Sequence, residues 1–303
     1  MEEIYQICDK ISVFRDGLRI DTRLTKDFPK DELVTMMLGK KLDVFFPKAA
    51  SVKGEQVLNV SNLRYKDRLG GVSFSVNQGE IVSIVGAVGA GKTEILNILY
   101  GILKPDSGEI QISGKNLHKG HSPKKAIRQS IALIPEDRAL QGMIANYSVK
   151  NNLTAINMKQ ISKRTLISEK IEKALAQKMN DKLSVVPNNI EYMINDLSGG
   201  NQQKVVIGKW MVEKYQLYLL DEVTAGVDIG AKSEIYEILG SLSKSGAGVL
   251  LATGDIEEAI GISDRIIVLF KGKIAIEVDP KNVTKDEILA YIMGGEKVAK
   301  HTL

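Results

Sequence analysis

The sequence has little of what builds disulfide-stabilised or membrane-embedded proteins. A single cysteine, Cys8, stands among its 303 residues, so an intramolecular disulfide is excluded, and its place in an apolar stripe predicts a buried thiol that fills space. No apolar run approaches the roughly 20 residues of a membrane-spanning helix, and no signal-peptide pattern is present. We therefore expect a soluble protein of the cytoplasm.

Histidine is scarce as well, and basic charge is not concentrated. His118, His121 and His301 show no ligand-like arrangement with Cys8, so a transition-metal site is not expected. The net charge of +4 is spread over mixed Lys and Glu positions, and the basic pairs are too short to form a binding stripe. Nucleic acid is therefore not an expected partner.

What the sequence does contain is a complete phosphate-binding loop. Residues 81–85 form a β-branched run typical of a strand buried on both faces, and the apolar stripe from Glu94 predicts a helix that ends near Gly101. The loop between them matches G-x-x-x-x-G-K-[ST], whose backbone N–H groups and lysine bind phosphates and whose threonine can ligate Mg²⁺. A chance glycine-rich turn is the alternative, and the order strand, loop, helix argues against it. The predicted nucleotide contacts are Gly86, Ala87, Val88, Gly89, Ala90, Gly91, Lys92, Thr93 and Glu94.

A second motif is an apolar strand that ends in two carboxylates. Residues 217–220 lead directly into Asp221 and Glu222, and an acid at the carboxyl end of a parallel strand sits where open α/β sheets bind their ligands. We expect Asp221 to hold Mg²⁺ and Glu222 to act as the general base that polarises the attacking water. A strand that merely ends in a solvated acidic turn is the alternative, which the phosphate loop makes less attractive.

A third motif, Leu-Ser-Gly-Gly-Asn-Gln-Gln-Lys at residues 197–204, precedes this strand. The three motifs together resemble those of the ABC transporter ATPases. They are most similar to the tandem ATP-binding proteins of bacterial importers for ribose, galactose and xylose, through the signature variant with Asn201, the run Gly226–Lys232 and the segment Pro135–Arg138. In that family the signature closes over a nucleotide held by a different ATPase domain. By resemblance, the signature contacts are Leu197, Ser198, Gly199, Gly200, Asn201 and Gln202, at the start of a helix that carries Val205, Val206 and Trp210.

The resemblance implies an α/β fold of the P-loop NTPase class. It consists of a RecA-like core, an antiparallel β subdomain near the start and a helical signature subdomain at about residues 137–200. The implied cofactors are ATP and Mg²⁺. By the same resemblance, Asp228 lies in a loop that crosses a dimer interface, with a helix cap or turn as the alternative, and Tyr65 stacks on adenine, with a plain strand tyrosine as the alternative.

The sequence departs from the family pattern at two positions that bear on catalysis. Glu136 stands where an active ABC ATPase usually has a glutamine that senses Mg²⁺ and water, and Gly254 stands where the switch histidine is expected, between Thr253 and Asp255. Second domains of this importer group often lack that histidine, yet this one keeps Lys92. We therefore expect ATP binding with slow or doubtful turnover, and most of the chemistry at the partner's phosphate loop.

An internal repeat links the beginning and the end of the chain. Residues 2–17 align without gaps onto 257–272, an offset of 255 (257 − 2), and the register continues through Gly39 and Gly294. Shared amphipathic patterning is the alternative. We interpret residues 1–47 as the closing strand and helix of a preceding ABC ATPase domain, 48–55 as a linker and 56–303 as the second ATPase domain. The apolar residues that would then have lost their partner are Ile4, Ile7, Ile11, Val13, Phe14, Leu33, Met36 and Met37.

The function that these features predict is the energising subunit of a bacterial importer for a monosaccharide of galactose or ribose type. Its expected partners are a preceding ATPase domain or a second copy of the chain, membrane-spanning permease subunits and, indirectly, a sugar-binding protein, which places it on the inner face of the cell membrane. Two alternatives stay open: a regulatory module that binds ATP with weak catalysis, and a soluble ABC ATPase that acts on ribosomes or nucleic acid.

Overall fold

The computed structural model describes residues 2–15, 17–38, 53–117, 120–163 and 166–295. Several sequence predictions therefore lie outside the described residues, among them most of the linker at 48–55, the end of the first segment at 39–47, and Gly39, His118 and His301.

Helices and strands are numbered along the chain. The helices are α1 Glu2–Ile7, α2 Lys30–Leu38, α3 Lys92–Tyr100, α4 Pro123–Arg128, α5 Val149–Thr154, α6 Met158–Ile161, α7 Glu169–Lys182, α8 Gly199–Gly208, α9 Ile229–Lys244, α10 Ile256–Ile262 and α11 Lys285–Ile292. The strands are β1 Lys10–Arg15, β2 Leu18–Leu24, β3 Gln56–Tyr65, β4 Leu69–Asn77, β5 Ile81–Gly86, β6 Ser107–Ile112, β7 Lys115–Asn116, β8 Ile131–Ile134, β9 Ser162–Lys163, β10 Leu166–Ile167, β11 Leu217–Asp221, β12 Gly248–Thr253, β13 Arg265–Phe270 and β14 Lys273–Val278.

The core is a six-stranded sheet in the order β14-β13-β5-β12-β11-β8. Its strands are parallel except for β14, which pairs antiparallel with β13. Strands β5, β11 and β12 are buried along their whole length, as expected for β-branched and leucine-rich runs covered on both faces. Because β5, β11 and β12 run in the same direction, the residues that follow them meet at one edge of the sheet.

The second sheet is antiparallel, with the order β4-β3-β6-β7, and its apolar face belongs to the same hydrophobic core as the six-stranded sheet. A helical region, α5 to α7 together with α8, has its own buried cluster that includes Leu153, Met179 and Val205. This arrangement of a parallel core, an antiparallel β region and a helical region confirms the predicted fold class.

The internal repeat is present in three dimensions. Strand β1 corresponds to β13, β2 begins at the position equivalent to β14, and α2 corresponds to α11, all at the same offset. The pairing register is also shared, because Ile11 lies opposite Arg23 as Ile266 lies opposite Val278. A register irregularity follows Val13 in the first hairpin and the equivalent Val268 in the second.

Among the described residues, strand β1 of the first repeat is packed on one face and exposed on the other. Ile11, Val13, Phe28 and Leu33 form a small buried cluster, whereas Phe14, on the other face of β1, is 62% exposed. In the second repeat that other face packs against the sheet core, where Leu269 is fully buried. The difference arises because β13 pairs with β5, while among the described residues β1 pairs with β2 alone.

The prediction of a buried Cys8 is wrong, because its thiol is exposed. Helix α1 ends at Ile7, and Cys8 directly follows it. The equivalent residue in the second repeat, Ser263, is fully buried beside Ser83 of β5. Cys8 is exposed because β1 has no such neighbouring strand within the described residues.

Within the part of the chain that the structure describes, none of the helices combines the length and the apolar character needed to cross a membrane.

Candidate functional site

The phosphate loop joins β5 to α3, as the sequence predicts. Gly89 and Gly91 adopt φ values of +79° and +108°, which favour glycine because residues with a Cβ are strained there. A Cβ on Gly91 would also lie 2.6 Å from a methyl carbon of Leu69. Helix α3 begins at Lys92, so the free N–H groups of its first turn are directed at the loop, where an anion binds. It ends at Tyr100 and is followed by Gly101 in the left-handed conformation.

Lys92 is almost completely buried beneath the loop. Its Nζ donates to the carbonyl oxygen of Gly86 at 2.7 Å and lies 3.5 Å from Oε1 of Glu222. The lysine charge is thus held between the phosphate loop and a carboxylate, in a position from which it can bind phosphate oxygens.

Thr93 and Asp221 meet at the same place. The Thr93 hydroxyl donates to Oδ1 of Asp221 at 3.3 Å, and burial, with smaller contributions from Glu136 and Glu222, raises the pKa of Asp221 to about 6. A hydroxyl and a buried carboxylate are oxygen ligands of the kind that Mg²⁺ prefers. The residues present therefore fit a divalent cation.

Glu222 directly follows β11 in a strained conformation. Its φ is +44°, a region that costs about 1–3 kcal/mol for a residue with a side chain and that is typical of functional sites. Its Oε2 accepts the backbone N–H of Gly254 at 3.0 Å. Apart from its two chain neighbours, the described atoms that a Cβ built on Gly254 would meet within 4 Å are the two carboxylate oxygens of Glu222, at 3.5 and 3.9 Å, so a side chain there would face this carboxylate.

Glu136 completes this first group of residues. It follows β8 by two positions and is exposed, and its negative charge is near enough to raise the pKa of Asp221. The structure therefore brings the phosphate loop, Asp221, Glu222, Glu136 and Gly254 together at one edge of the sheet.

The signature motif forms a second group at the start of α8. The Ser198 side chain caps this helix by accepting the N–H of Asn201, and the Asn201 side chain donates back to Ser198 Oγ at 2.9 Å. Gln202 is tied to Arg138, whose guanidinium also donates to the carbonyl of Ala225 at 3.3 Å. The signature is thereby joined to the loop that leads to Asp228, which caps α9 through the N–H of Ala231.

One detail of the predicted signature helix needs correction. Helix α8 carries Val205 and Val206 but ends at Gly208, so Trp210 lies beyond it. The backbone N–H of Trp210 donates to the carbonyl of Ile207. The Trp210 ring is buried, with edge-to-face contacts to Tyr100 and Tyr215. Aromatic contacts therefore hold the chain after α8, which does not continue as a helix.

Gly200 makes the contact between α8 and α9 possible, which gives a first prediction. A Cβ on Gly200 would lie 2.3 Å from Cβ of Ala231, so Gly200→Ala forces the two helices apart. We expect a loss of about 1–3 kcal/mol in the free energy of unfolding, measured by denaturant titration. Gly230→Ala is the matched control, since the contact found for its Cβ among the described residues is with Asp228 Oδ1, at 3.3 Å. Equal stability of the two variants would contradict this packing argument.

Two groups near the site were not identified from the sequence. Arg68 lies beside the phosphate loop, with its NH1 3.7 Å from the position of a Cβ on Gly89. The buried carboxylate of Glu258 accepts hydrogen bonds from Thr224 and Thr253. Neither belongs to a recognisable motif, and only the fold shows that they are close to the site.

Tyr65 lies at the end of β3, where its half-buried ring packs on the main core and the Lys66 ammonium lies 5.1 Å from the ring centre. This is the environment of a strand tyrosine, and its stacking on adenine stays a prediction.

A family model described as ABC transporter matches residues 69–225, which include the phosphate loop, the signature and the carboxylate pair. Among the curated proteins, the chain is 40% identical over 293 residues to the ribose import ATP-binding protein RbsA of Clostridium tetani, covering 96% of this chain and 58% of that protein. It is 39% identical over 291 residues to the arabinose import ATP-binding protein AraG 2 of Burkholderia cenocepacia, covering 95% of this chain and 56% of that protein. The chain thus spans less than two thirds of the length of these relatives.

Solved structures show the same fold. The ATP-binding cassette MJ1267 of an ABC transporter superposes with a TM-score of 0.69 at 24% identity, covering 79% of this chain and 99% of that one. CbiO1 of Clostridium perfringens, described as part of the ABC transporter complex cbiONQ, gives a TM-score of 0.64 at 26% identity, covering 78% of this chain and 94% of that one.

Proposed function

Since the chain belongs to the ABC transporter family, we propose that it binds ATP and is an energising subunit of a bacterial importer for a monosaccharide. The observation that carries this proposal is the convergence of Lys92, Thr93, Asp221 and Glu222 at one edge of the sheet, with Lys92 Nζ 3.5 Å from Glu222 Oε1 and Thr93 Oγ1 3.3 Å from Asp221 Oδ1. This is the arrangement that phosphoryl transfer requires, in which a cation, a hydroxyl and two carboxylates are placed around one phosphate-binding loop.

Each group has a distinct role in this proposal. The loop amides and Lys92 bind the phosphates, Thr93 and Asp221 hold Mg²⁺, and Glu222 takes a proton from the attacking water. Bound Mg²⁺ supplies charge neutralisation at the phosphates. The N–H of Gly254 orients Glu222, since it donates to Oε2 at 3.0 Å.

The second prediction tests ATP binding itself. We expect Lys92→Ala to weaken binding of a fluorescent ATP analogue by about 10- to 100-fold, because a charge-assisted hydrogen bond contributes about 1.5–3 kcal/mol. The matched control is Lys104→Ala, which removes an exposed lysine beyond the end of α3. Unchanged affinity in Lys92→Ala, with the thermal unfolding of all three proteins alike, would contradict the proposed nucleotide site.

A composite site with a second ATPase unit belongs to the same proposal. Ser198, Gly199 and Gly200 open α8, and we place them against the nucleotide of a partner unit, with Asp228 at the interface. The partner is a preceding ATPase domain or a second copy of the chain. The exposed Phe14 face of β1 supports the first choice, since its counterpart in β13 is covered by the sheet of an ATPase domain.

The experiment for the composite site uses Ser198→Arg in the chain joined to its preceding unit. We propose that this unit carries most of the hydrolysis, so the bulky cation at the signature blocks closure and abolishes transport. Unchanged transport would contradict the composite site while leaving ATP binding by Lys92 intact.

Sugar import is proposed from the relatives, whose names specify import of ribose and arabinose. Coupling then requires permease subunits and a sugar-binding protein, with this chain on the inner face of the membrane. The side chains of Leu140, Ile144 and Tyr147 are exposed in the segment that follows Glu136, as expected of a surface that a protein partner covers. Reconstitution with candidate permeases tests this: ribose- or arabinose-dependent ATP turnover supports it, and turnover independent of any sugar contradicts it.

A second candidate function is a regulatory module that binds ATP without hydrolysing it. Two residues favour this alternative. Gly254 has no side chain that could contact the γ-phosphate, and the exposed Glu136 is an acid. Tight ATP binding with no product formed, even with the partner unit present, would select this alternative. The remaining alternative, action on ribosomes or nucleic acid, predicts turnover stimulated by RNA or DNA.

A further inference from the structure

Glu258 is a buried carboxylate to which the proposed mechanism assigns no role. It lies in α10, is 1% exposed, and uses both of its oxygens as acceptors. Thr224 donates to Oε1 at 2.8 Å and Thr253 donates to Oε2 at 2.5 Å. The Tyr236 hydroxyl of α9 also interacts with it.

The two threonines lie beside the two residues of the Glu222–Gly254 contact. Thr224 follows Glu222 by two positions, and Thr253 immediately precedes Gly254, whose N–H donates to Glu222 Oε2 at 3.0 Å. One carboxylate therefore connects the segment that carries Glu222 to the segment that orients it.

Gly254 makes this connection important. It has no side chain with which to fix its own position, and its described contact with Glu222 is made by the backbone alone. Its location is set by Thr253, whose hydroxyl also accepts the N–H of Asp255 at 3.0 Å, while Asp255 caps α10 by accepting the N–H of Glu258 at 3.2 Å. Thr253, Asp255 and Glu258 thus form a closed hydrogen-bonded ring at the start of α10.

We infer that Glu258 is a positioning residue, which holds the Gly254 amide against the Glu222 carboxylate by binding Thr224 and Thr253 at once. Its catalytic meaning rests on the proposed function, because Glu222 is the base there, but the contact itself can be tested without turnover. Truncation of Glu258 removes this acceptor from the Thr224 and Thr253 hydroxyls and frees the Gly254 segment to move away from Glu222.

The experiment follows the Gly254 amide by NMR in protein labelled with ¹⁵N-glycine, where Gly254→Ala identifies the signal by deleting it. Glu222→Gln gives the shift expected when the carboxylate charge is lost. We expect Glu258→Ala to move the Gly254 signal comparably. Glu258→Gln retains one acceptor oxygen, and its NH₂ can donate to the other threonine hydroxyl, so both contacts persist and the signal stays near its original position. The matched control is Glu172→Ala, which removes another buried carboxylate bonded to a threonine, Thr154, at 2.9 Å.

A Gly254 signal that stays in place in Glu258→Ala, while Glu222→Gln moves it, would overturn the inference. A signal that Glu222→Gln does not move would also overturn it, because the Gly254 contact would then be absent. If Glu258→Ala does not fold, Thr224→Val removes one arm of the bridge and must shift the signal in its place.

Turnover provides the second readout. Where hydrolysis is measurable, Glu258→Ala lowers kcat by about 10- to 100-fold, the scale of a small misplacement of a catalytic group, while KM for ATP changes little. In a Glu222→Gln background the same substitution has no further effect. Failure of the wild-type chain to bind ATP would reject the proposed function and leave the NMR outcome to decide the role of Glu258.

Discussion

Glu222→Gln is expected to lower ATP hydrolysis by about 10²- to 10⁴-fold, the range attributed to a general base, and to leave ATP bound. The amide cannot take a proton from water, yet it keeps an oxygen for the N–H of Gly254, which lies 3.0 Å from Oε2. The loss of the 3.5 Å ion pair with Lys92 removes a competitor for that lysine, so affinity for the negatively charged nucleotide should be equal or higher. Phosphate release and analogue binding are measured on the same samples.

Two controls make this result interpretable. Glu213→Gln changes an exposed carboxylate that follows α8 in the chain and accepts a hydrogen bond from Gln160, and it should leave the rate unchanged. Hydrolysis that survives in Glu222→Gln at the wild-type rate would exclude Glu222 as the base. Loss of binding along with hydrolysis would instead show that this side chain supports the loop.

The phosphate loop and the carboxylate pair could be predicted from the sequence because local patterns determine them. A β-branched strand, three glycines and an apolar helical stripe leave few alternatives for residues 81–101, and β5, Gly91 and α3 are where those patterns place them. The repeat was also visible, because Ile11 and Ile266 share register as well as residue type. These features depend on residues close in the chain or on direct internal comparison.

The features that could not be predicted depend on contacts between distant segments. Cys8 has the apolar surroundings of a buried residue, but its exposure depends on whether a strand lies beside β1. Glu258 resembles any other helix glutamate until Thr224, from the turn after β11, and Thr253, from the end of β12, are brought to it. Arg138 likewise joins Gln202 to Ala225 only after the chain has folded. No local sequence pattern predicts such contacts.

Gly254→His is expected to raise the rate of ATP hydrolysis by about 10- to 100-fold, a gain at or below the lower end of what a positioned acid or base contributes. The other groups of the site are in place, since Lys92, Thr93, Asp221 and Glu222 already converge. Gly254 does not have the positive φ that would strain a larger residue, and a Cβ there, its chain neighbours aside, has the Glu222 oxygens as its contacts within 4 Å among the described residues. A Cβ at this position therefore starts a side chain beside the base.

The comparison that decides this prediction is with Gly254→Ala, which adds a Cβ in the same direction but no imidazole. A gain specific to histidine, abolished by Glu222→Gln in the double variant, would show that the missing imidazole limits turnover at this site. A histidine variant no faster than the alanine variant, with ATP still bound, would mean that slow turnover has another origin. The exposed Glu136, which contributes to the raised pKa of Asp221, is then the group to test next, because Glu136→Gln removes the negative charge that opposes ionisation of Asp221.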